Sequence, residues 1–164
     1  MIDLQLCPFA SAPFNNNNID YTVIPGSDIT QHLHQIADSY RVLDNDTDIE
    51  TQLLIFPDAY QDFEDYLDLL HLGNQILKDL KYTGVYQLAS FHPSYLFADS
   101  REKDAANYSN RSPYPMLHVL RESSLDKVIA RHPDIAQIPK NNVNRLDEIG
   151  YARMQEKLEK ITEA

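Results

Sequence analysis

The sequence has a single cysteine, only four glycines and no tryptophan among its 164 residues. One cysteine cannot form a disulfide within the chain, and this is typical of proteins from a reducing compartment. No apolar run approaches the roughly 18 residues that a membrane-spanning helix needs, and the first residues lack the basic and apolar segments of a signal peptide. We therefore expect a cytoplasmic protein with no membrane partner.

Basic residues are also scarce, with 14 Lys and Arg against 25 Asp and Glu, so the formal net charge is -11. A nucleic-acid partner is not expected, because binding a phosphate backbone requires clustered positive charge. One group of cations departs from this acidic background and is the reason to expect a small anion as a partner. It consists of Arg101, Lys103, Arg111 and Arg121.

The length and the hydrophobic fraction of 43% predict a single domain over residues 1–164. Short apolar runs at 21–24, 52–56 and 85–90, each bounded by turn or helix-capping residues, predict strands. Apolar residues at the spacing of one helical face predict helices over 29–43 and 63–81. This alternation predicts an α/β fold with a small, mainly parallel sheet in the order β-α-β-α-β.

The chain after the third strand is expected to form a long loop and then C-terminal helices. Residues 91–112 have no periodicity, but their aromatic side chains predict an ordered loop with a functional role. Pro113 and Pro115 favour the first turn of a helix that continues past residue 118, and a capping box at Ser123 predicts a restart to residue 131. Further helical segments are predicted from Pro139 to about 150 and in a charged tail over 150–164.

A candidate anion site lies at the start of the helix predicted after Pro113. Asn110, Arg111 and Ser112 directly precede it, and the free N–H groups of a helix N-terminus suit a carboxylate or phosphate. Arg111 would complete the clamp, with Asn107 in the same polar segment. The alternative is that Asn110 and Ser112 only cap the helix and that Arg111 is a surface residue.

Catalytic candidates on the same predicted helix are His118 and Glu122, which are four residues apart. With Arg121 they would project from one helical face, where a carboxylate can orient a histidine as a general base. A metal would need a third ligand from His92 or Cys7. No HExxH or CxxC spacing supports such a site, so no metal is assigned. The alternative for His118 and Glu122 is an exposed surface pair.

Two further residues have the chemistry of an active site. His92 leaves the third strand and precedes Pro93, which favours an extended backbone and fixes the direction of its side chain. It is either catalytic or bonded to a loop carbonyl. Cys7 is either a nucleophile or a small buried apolar residue.

Three strings carry a family resemblance: LCPFA at 6–10, SFHP at 90–93 and NYSNRSPYPMLH at 107–118. Together they resemble the uncharacterised bacterial family of unknown function DUF-1415, over most of the chain. The resemblance implies no established activity or cofactor, but its motifs contain residues that the physical reasoning also selected. These are Cys7, His92, Asn110, Arg111 and His118.

The sequence departs from this family pattern at Ser94, Asp99 and Lys140, so no direct role is expected for these three. The resemblance implies that relatives carry an additional helix before the cysteine motif, whereas Met1 stands only six residues ahead of Cys7 here. If such a helix is missing here, the apolar surface that it covers is expected to be exposed.

The leading functional hypothesis is a small enzyme that acts on an anionic metabolite. A Cys7–histidine pair fits acyl or amide transfer, whereas two histidines with arginines fit phosphoester chemistry. The alternative is a non-catalytic module that binds a small anion or a protein. The sequence leaves open whether the protein is an enzyme, which cofactor it uses and whether it is an oligomer.

Overall fold

The computed structural model describes residues 2–131 and 134–163. Six α-helices and four strands lie within this part of the chain, and no described helix is long and apolar enough to cross a membrane. The elements in chain order are α1 (Ser11–Asn15), β1 (Ile19–Val23), α2 (Ile29–Asn45), β2 (Thr51–Ile55), α3 (Phe63–Asp79), β3 (Tyr86–Phe91), a 3-10 helix (Ala105–Ser109), β4 (Met116–Arg121), α4 (Glu122–Arg131), a 3-10 helix (Ile135–Gln137), α5 (Ile138–Ile149) and α6 (Tyr151–Thr162).

The two long helices begin at aspartate caps, as the sequence predicts. The Asp28 carboxylate accepts hydrogen bonds from the backbone N–H groups of Thr30 and Gln31, and Asp62 accepts one from Glu64. Both helices pack on the same face of the sheet. A Cβ added at Gly73 of α3 would lie 2.9 Å from Leu88 Cδ1 of β3, so a larger residue here would require the leucine side chain to shift.

The sheet has the strand order β1-β2-β4-β3, and β4 runs antiparallel to both of its neighbours. The predicted α/β class is confirmed, but the predicted mainly parallel sheet is wrong, because only β1 and β2 pair in parallel. The error comes from residues 116–121, for which the two prolines predict a helix. Leu117 and Val119 alternate into the core there, and so short an apolar run does not distinguish strand from helix.

The buried apolar residues form two clusters. The sheet cluster fills the space between α2, α3 and one face of the sheet. Its largest fully buried members are Ile24, Ile36, Tyr40, Leu43, Leu54, Phe56, Tyr66, Leu69, Tyr86 and Leu117. The loop cluster is smaller and joins the N-terminal segment, the first 3-10 helix, α5 and α6 through Leu6, Ala105, Tyr108, Leu146 and Met154.

The segment around the two prolines is a turn that leads into β4 rather than the start of a helix. The Pro115 carbonyl accepts a hydrogen bond from Phe56 N, and Ser112 Oγ donates to the Tyr114 carbonyl. The predicted helix N-terminus at this position is therefore wrong. The later helices α4, α5 and α6 lie where the sequence predicts them.

Candidate functional site

Buried asparagines organise the loop between β3 and β4. Asn107 is fully buried, and its Oδ1 accepts hydrogen bonds from Phe97 N and Ser100 Oγ at 3.2 and 2.7 Å. Its Nδ2 donates to the Arg101 carbonyl at 2.8 Å. The whole amide is thus used to fold residues 97–107 back on themselves.

Asn110 ties the same loop to the end of β3. Its Nδ2 donates to the Ser90 carbonyl at 3.0 Å, and its backbone carbonyl accepts a hydrogen bond from His92 N at 3.1 Å. With Ser112 bonded to Tyr114, three of the predicted ligand-binding side chains make their hydrogen bonds within the chain. Ligand binding by Asn107, Asn110 and Ser112 stays a prediction that these bonds do not favour.

Arg111 has different surroundings from these asparagines. Its Nε and Nη2 donate to the carbonyls of Tyr95 and Glu102 at 3.2 and 3.0 Å. The guanidinium carbon lies 4.8 Å from the centre of the Tyr108 ring and 5.8 Å from that of Tyr151. Among the residues that the structure describes, Arg111 forms no ion pair, because all four pairs found involve other residues.

Arg111 lines an open cleft of about 460 Å³ between the loop and α6. The other charged residues of this cleft are all acidic, namely Glu102, Glu159 and Glu163. Apolar contact surface comes from the loop and from α6. It is provided by Pro93, Leu96 and Leu158, with the rings of Tyr108 and Tyr151.

His92 is fully buried beside the rings of Phe63 and Tyr66 of α3. Its Nε2 donates to the Tyr60 carbonyl at 2.8 Å, and its Nδ1 accepts from Ser94 N at 3.0 Å. This assigns a neutral ring with both nitrogens occupied. Burial lowers the pKa of His92 and agrees with the neutral form. The contacts match the structural alternative, a histidine bonded to a loop carbonyl.

His118 lies on β4 with its side chain on the face of the sheet opposite to the Leu117 and Val119 side chains. Thr51 Oγ1 lies 2.7 Å from His118 Nε2 and 2.6 Å from the Val119 carbonyl. Since a carbonyl only accepts, the threonine proton goes to Val119 and His118 carries its proton on Nε2. Burial lowers the pKa of His118 to about 4, so its ring is neutral near pH 7.

The predicted helical face of His118, Arg121 and Glu122 is wrong, because residues 116–121 form a strand. Successive strand residues point to opposite faces, so His118 and Arg121 project to different sides of the sheet, and Glu122 begins α4. The Arg121 guanidinium donates to backbone carbonyls, among them those of Asp46 and Ile49, and holds the connection between α2 and β2.

Cys7 is half-buried next to Leu6 of the loop cluster, and burial raises the pKa of its thiol. Within residues 2–131 and 134–163 its sulfur makes no hydrogen bond to a histidine, and no group of three or more His, Cys, Asp or Glu side chains is arranged to hold a metal ion. Cys7, His92 and His118 therefore have three separate sets of neighbours. The structure does not join them into one hydrogen-bonded constellation.

Sequence reasoning missed the α6 wall of the cleft. Tyr151 and Glu159 lie eight residues apart, and this spacing places them on one side of a helix. That signal is present in the sequence, but the segment has the composition of a charged tail. Sequence reasoning also missed Tyr60, whose left-handed backbone (φ 59°) presents its carbonyl to His92. No local pattern indicates that partner.

Comparison with known proteins identifies the family of this chain. Residues 1–156 match the family model described as Protein of unknown function (DUF1415). The chain belongs to this family. The family resemblance expected from the sequence is thus confirmed. Neither the curated proteins nor the solved structures include a match to the chain. The family description carries no activity, so function rests on the geometry of the site.

Proposed function

We propose that this protein is a non-catalytic module that binds a small ligand in the cleft between the loop and α6, with Arg111 holding an anionic group. The observation that supports this proposal most directly is that the charge of Arg111 has no ion-pair partner among the described residues. Its guanidinium is half-buried and donates to two backbone carbonyls. A partly desolvated cation without a counter-ion favours binding of a carboxylate or phosphate.

The acidic rim of the cleft narrows the class of ligand. Glu102, Glu159 and Glu163 line the same space as Arg111, so a simple anion would be attracted by one charge and repelled by three. A small molecule with one anionic group and one protonated amine would match both signs. The tyrosine rings and Leu158 provide contact surface for its carbon skeleton.

The surroundings of the catalytic candidates support binding rather than catalysis. A general base must reach the proton that it removes, and a nucleophile must reach its base. His92 has both ring nitrogens bonded within the chain, His118 is bonded to Thr51, and Cys7 has a raised pKa. The enzyme hypothesis therefore has less support than the binding hypothesis, and we propose no cofactor.

We also propose a bacterial, cytoplasmic protein. Its single cysteine and its family resemblance support this location, as the sequence led us to expect.

The test is a titration of the isotopically labelled chain with three probes: inorganic phosphate, putrescine and lysine. NMR spectra monitor the binding of each probe. Phosphate carries only an anionic group, putrescine carries only amines, and lysine carries both. We expect lysine to shift the resonances of the loop and α6 at the lowest concentration. Arg111→Gln removes the anion contact and should abolish the shifts caused by phosphate and lysine, whereas Glu159→Gln should weaken putrescine and lysine only.

The matched control is Arg145→Gln, because Arg145 is an exposed arginine on α5 outside the cleft. It makes the same change in net charge and should leave all three titrations unaltered. If both arginine variants lose the ligand-induced shifts equally, the effect comes from the net charge of the protein and not from Arg111. Absence of any shift that depends on Arg111 would overturn the proposed binding function.

A further inference from the structure

β1 forms an open edge of the sheet. It pairs only with β2, and its side chains Tyr21 and Val23 are 55% and 59% exposed. Its sequence, Ile-Asp-Tyr-Thr-Val, contains no proline or lysine, which are the residues that commonly block pairing at an edge. The one charged side chain, Asp20, points to the face covered by helices; an inward-pointing charge can protect an edge, but this carboxylate already accepts hydrogen bonds from Gln52 Nε2 and Thr22 Oγ1.

The backbone bonds to β2 show which groups of β1 face outwards. The Asn18 carbonyl accepts from Glu50 N, and Ile24 N donates to the Ile55 carbonyl, so even-numbered residues point their backbone groups at β2. In a strand the direction alternates, so Ile19, Tyr21 and Val23 direct their N–H and C=O groups away from the sheet. Within the described ranges no chain segment bonds to these outward groups.

A second β1 strand fits this edge in one antiparallel register. With Tyr21 opposite Tyr21 of the second copy, Ile19 lies opposite Val23, so each outward-facing residue meets another and both N–H and C=O groups pair. Asp20 then lies opposite Thr22. A shift by one residue would pair outward with inward groups. A shift by two would shorten the overlap and, in one direction, place Asp20 opposite Asp20, which is destabilising.

The side chains favour the same register. Ile19, Tyr21 and Val23 all project on the face of the sheet away from α2 and α3, since their neighbours in sequence lie on the covered face. The pairing would bring an aromatic side chain opposite an aromatic one and two β-branched side chains opposite each other, which are stabilising cross-strand pairs. No charge lies in this strip, although each chain has a formal charge of -11.

We propose that β1 is a docking edge for a second copy of this chain, and that two sheets join there through antiparallel β1 strands into one eight-stranded sheet with Tyr21 on the two-fold axis. Only five residues of each strand pair. Such a contact is small, so the dimer is expected to be in a concentration-dependent equilibrium with the monomer. Because both copies are acidic, added salt should strengthen the association.

The test is sedimentation velocity of the full chain from about 10 μM to about 1 mM, the range in which small interfaces associate. The average mass should rise from 18.9 kDa towards twice that value. Tyr21→Lys and Tyr21→Glu each place like charges opposite each other on the axis, so either variant alone should remain a monomer. Mixed in equal amounts, the two should form a heterodimer, because the lysine of one variant then faces the glutamate of the other.

Ile161→Lys is the control, since Ile161 is 62% exposed on α6 and lies outside β1. It should associate as the unaltered protein does. Circular dichroism of every variant checks the fold. A chain that stays monomeric over the whole range would overturn the proposal and leave this edge open for an extended segment of another protein. Dimers of Tyr21→Lys as stable as those of the unaltered protein would overturn it in favour of a different interface.

Discussion

A half-buried arginine bonded to backbone carbonyls lies beside each apolar cluster, Arg121 next to Tyr86 of the sheet cluster and Arg111 next to Tyr108 of the loop cluster, but the two differ in their counter-charge. Arg121 Nη1 donates to Tyr86 Oη at 3.2 Å, and this hydroxyl donates to Asp44 Oδ1 at 2.7 Å. Hydrogen bonds from Tyr82 and Tyr86 hold the pKa of Asp44 below its usual value. Arg111 has tyrosine rings beside it but, within the described ranges, no such carboxylate.

The difference indicates a division of roles between the two regions, one structural and one suited to binding. Where the apolar cluster is large, Arg121 is bonded to Tyr86 and to several backbone carbonyls and holds the sheet to the end of α2. Where it is small, a charge remains next to an open cleft. The predictions below test this division, beginning with the largest expected effect.

Arg121→Met should cost about 3 kcal/mol of unfolding free energy, because it removes charged donors from several partly buried carbonyls. Arg111→Met should cost only about 1 kcal/mol, because it loses two such bonds next to an open cleft. Urea denaturation monitored by circular dichroism measures both values. Equal losses would mean that the two arginines have the same structural role.

The histidines of the sheet region should make the protein less stable in acid. The pKa of His118 is lowered from 6.5 to about 4, so the unfolded chain binds more protons in this window. Stability should therefore fall by about 2 kcal/mol as the pH drops from 6.5 towards 4 and stay level above 6.5. His92 shifts in the same direction.

His118→Gln should weaken this pH dependence and leave the part due to His92, because the glutamine amide can still donate to Thr51 and does not titrate. The exposed His34 of α2 offers the control, and His34→Gln should keep the original slope. If both variants keep the slope in urea titrations at several pH values, the acid sensitivity does not come from His118.

In the loop region, Asn107→Ala should cost about 2 kcal/mol, because it leaves buried partners without hydrogen bonds. The loss should be local. Hydrogen exchange should accelerate at Phe97 N while the amides of β4 stay protected. Asn74→Ala, at an exposed site on α3, serves as control. Faster exchange across the whole sheet would show that the two regions unfold as one unit.

The smallest effect should be at Cys7. Burial raises the pKa of its thiol, so iodoacetamide should label it more slowly at pH 6 than a small free thiol and quickly only after unfolding. Mass spectrometry measures the rate. Faster labelling than the free thiol would give the loop region a nucleophile and revive the enzyme hypothesis.

Much of the α/β pattern could be read locally. The predicted helices at 29–43 and 63–81 correspond to Ile29–Asn45 and Phe63–Asp79, and three predicted strands lie within two residues of β1, β2 and β3. The site was predicted less well. Arg111 stands out in the sequence by its charge and does line the cleft, whereas the grouping of His118, Arg121 and Glu122 depends on a helix that is a strand.

The sequence by itself determined the helix starts at Asp28 and Asp62, the acidic surface and the family motifs, because caps, periodicity and composition act over a few residues. Only the tertiary structure decided that β4 lies between β2 and β3 and that α6 packs beside the loop. Strand order and helix docking depend on partners far apart in the chain. These long-range contacts hold residues 116–121 as a strand, in which His118 and Arg121 point to opposite faces, and they place Tyr151 next to Arg111.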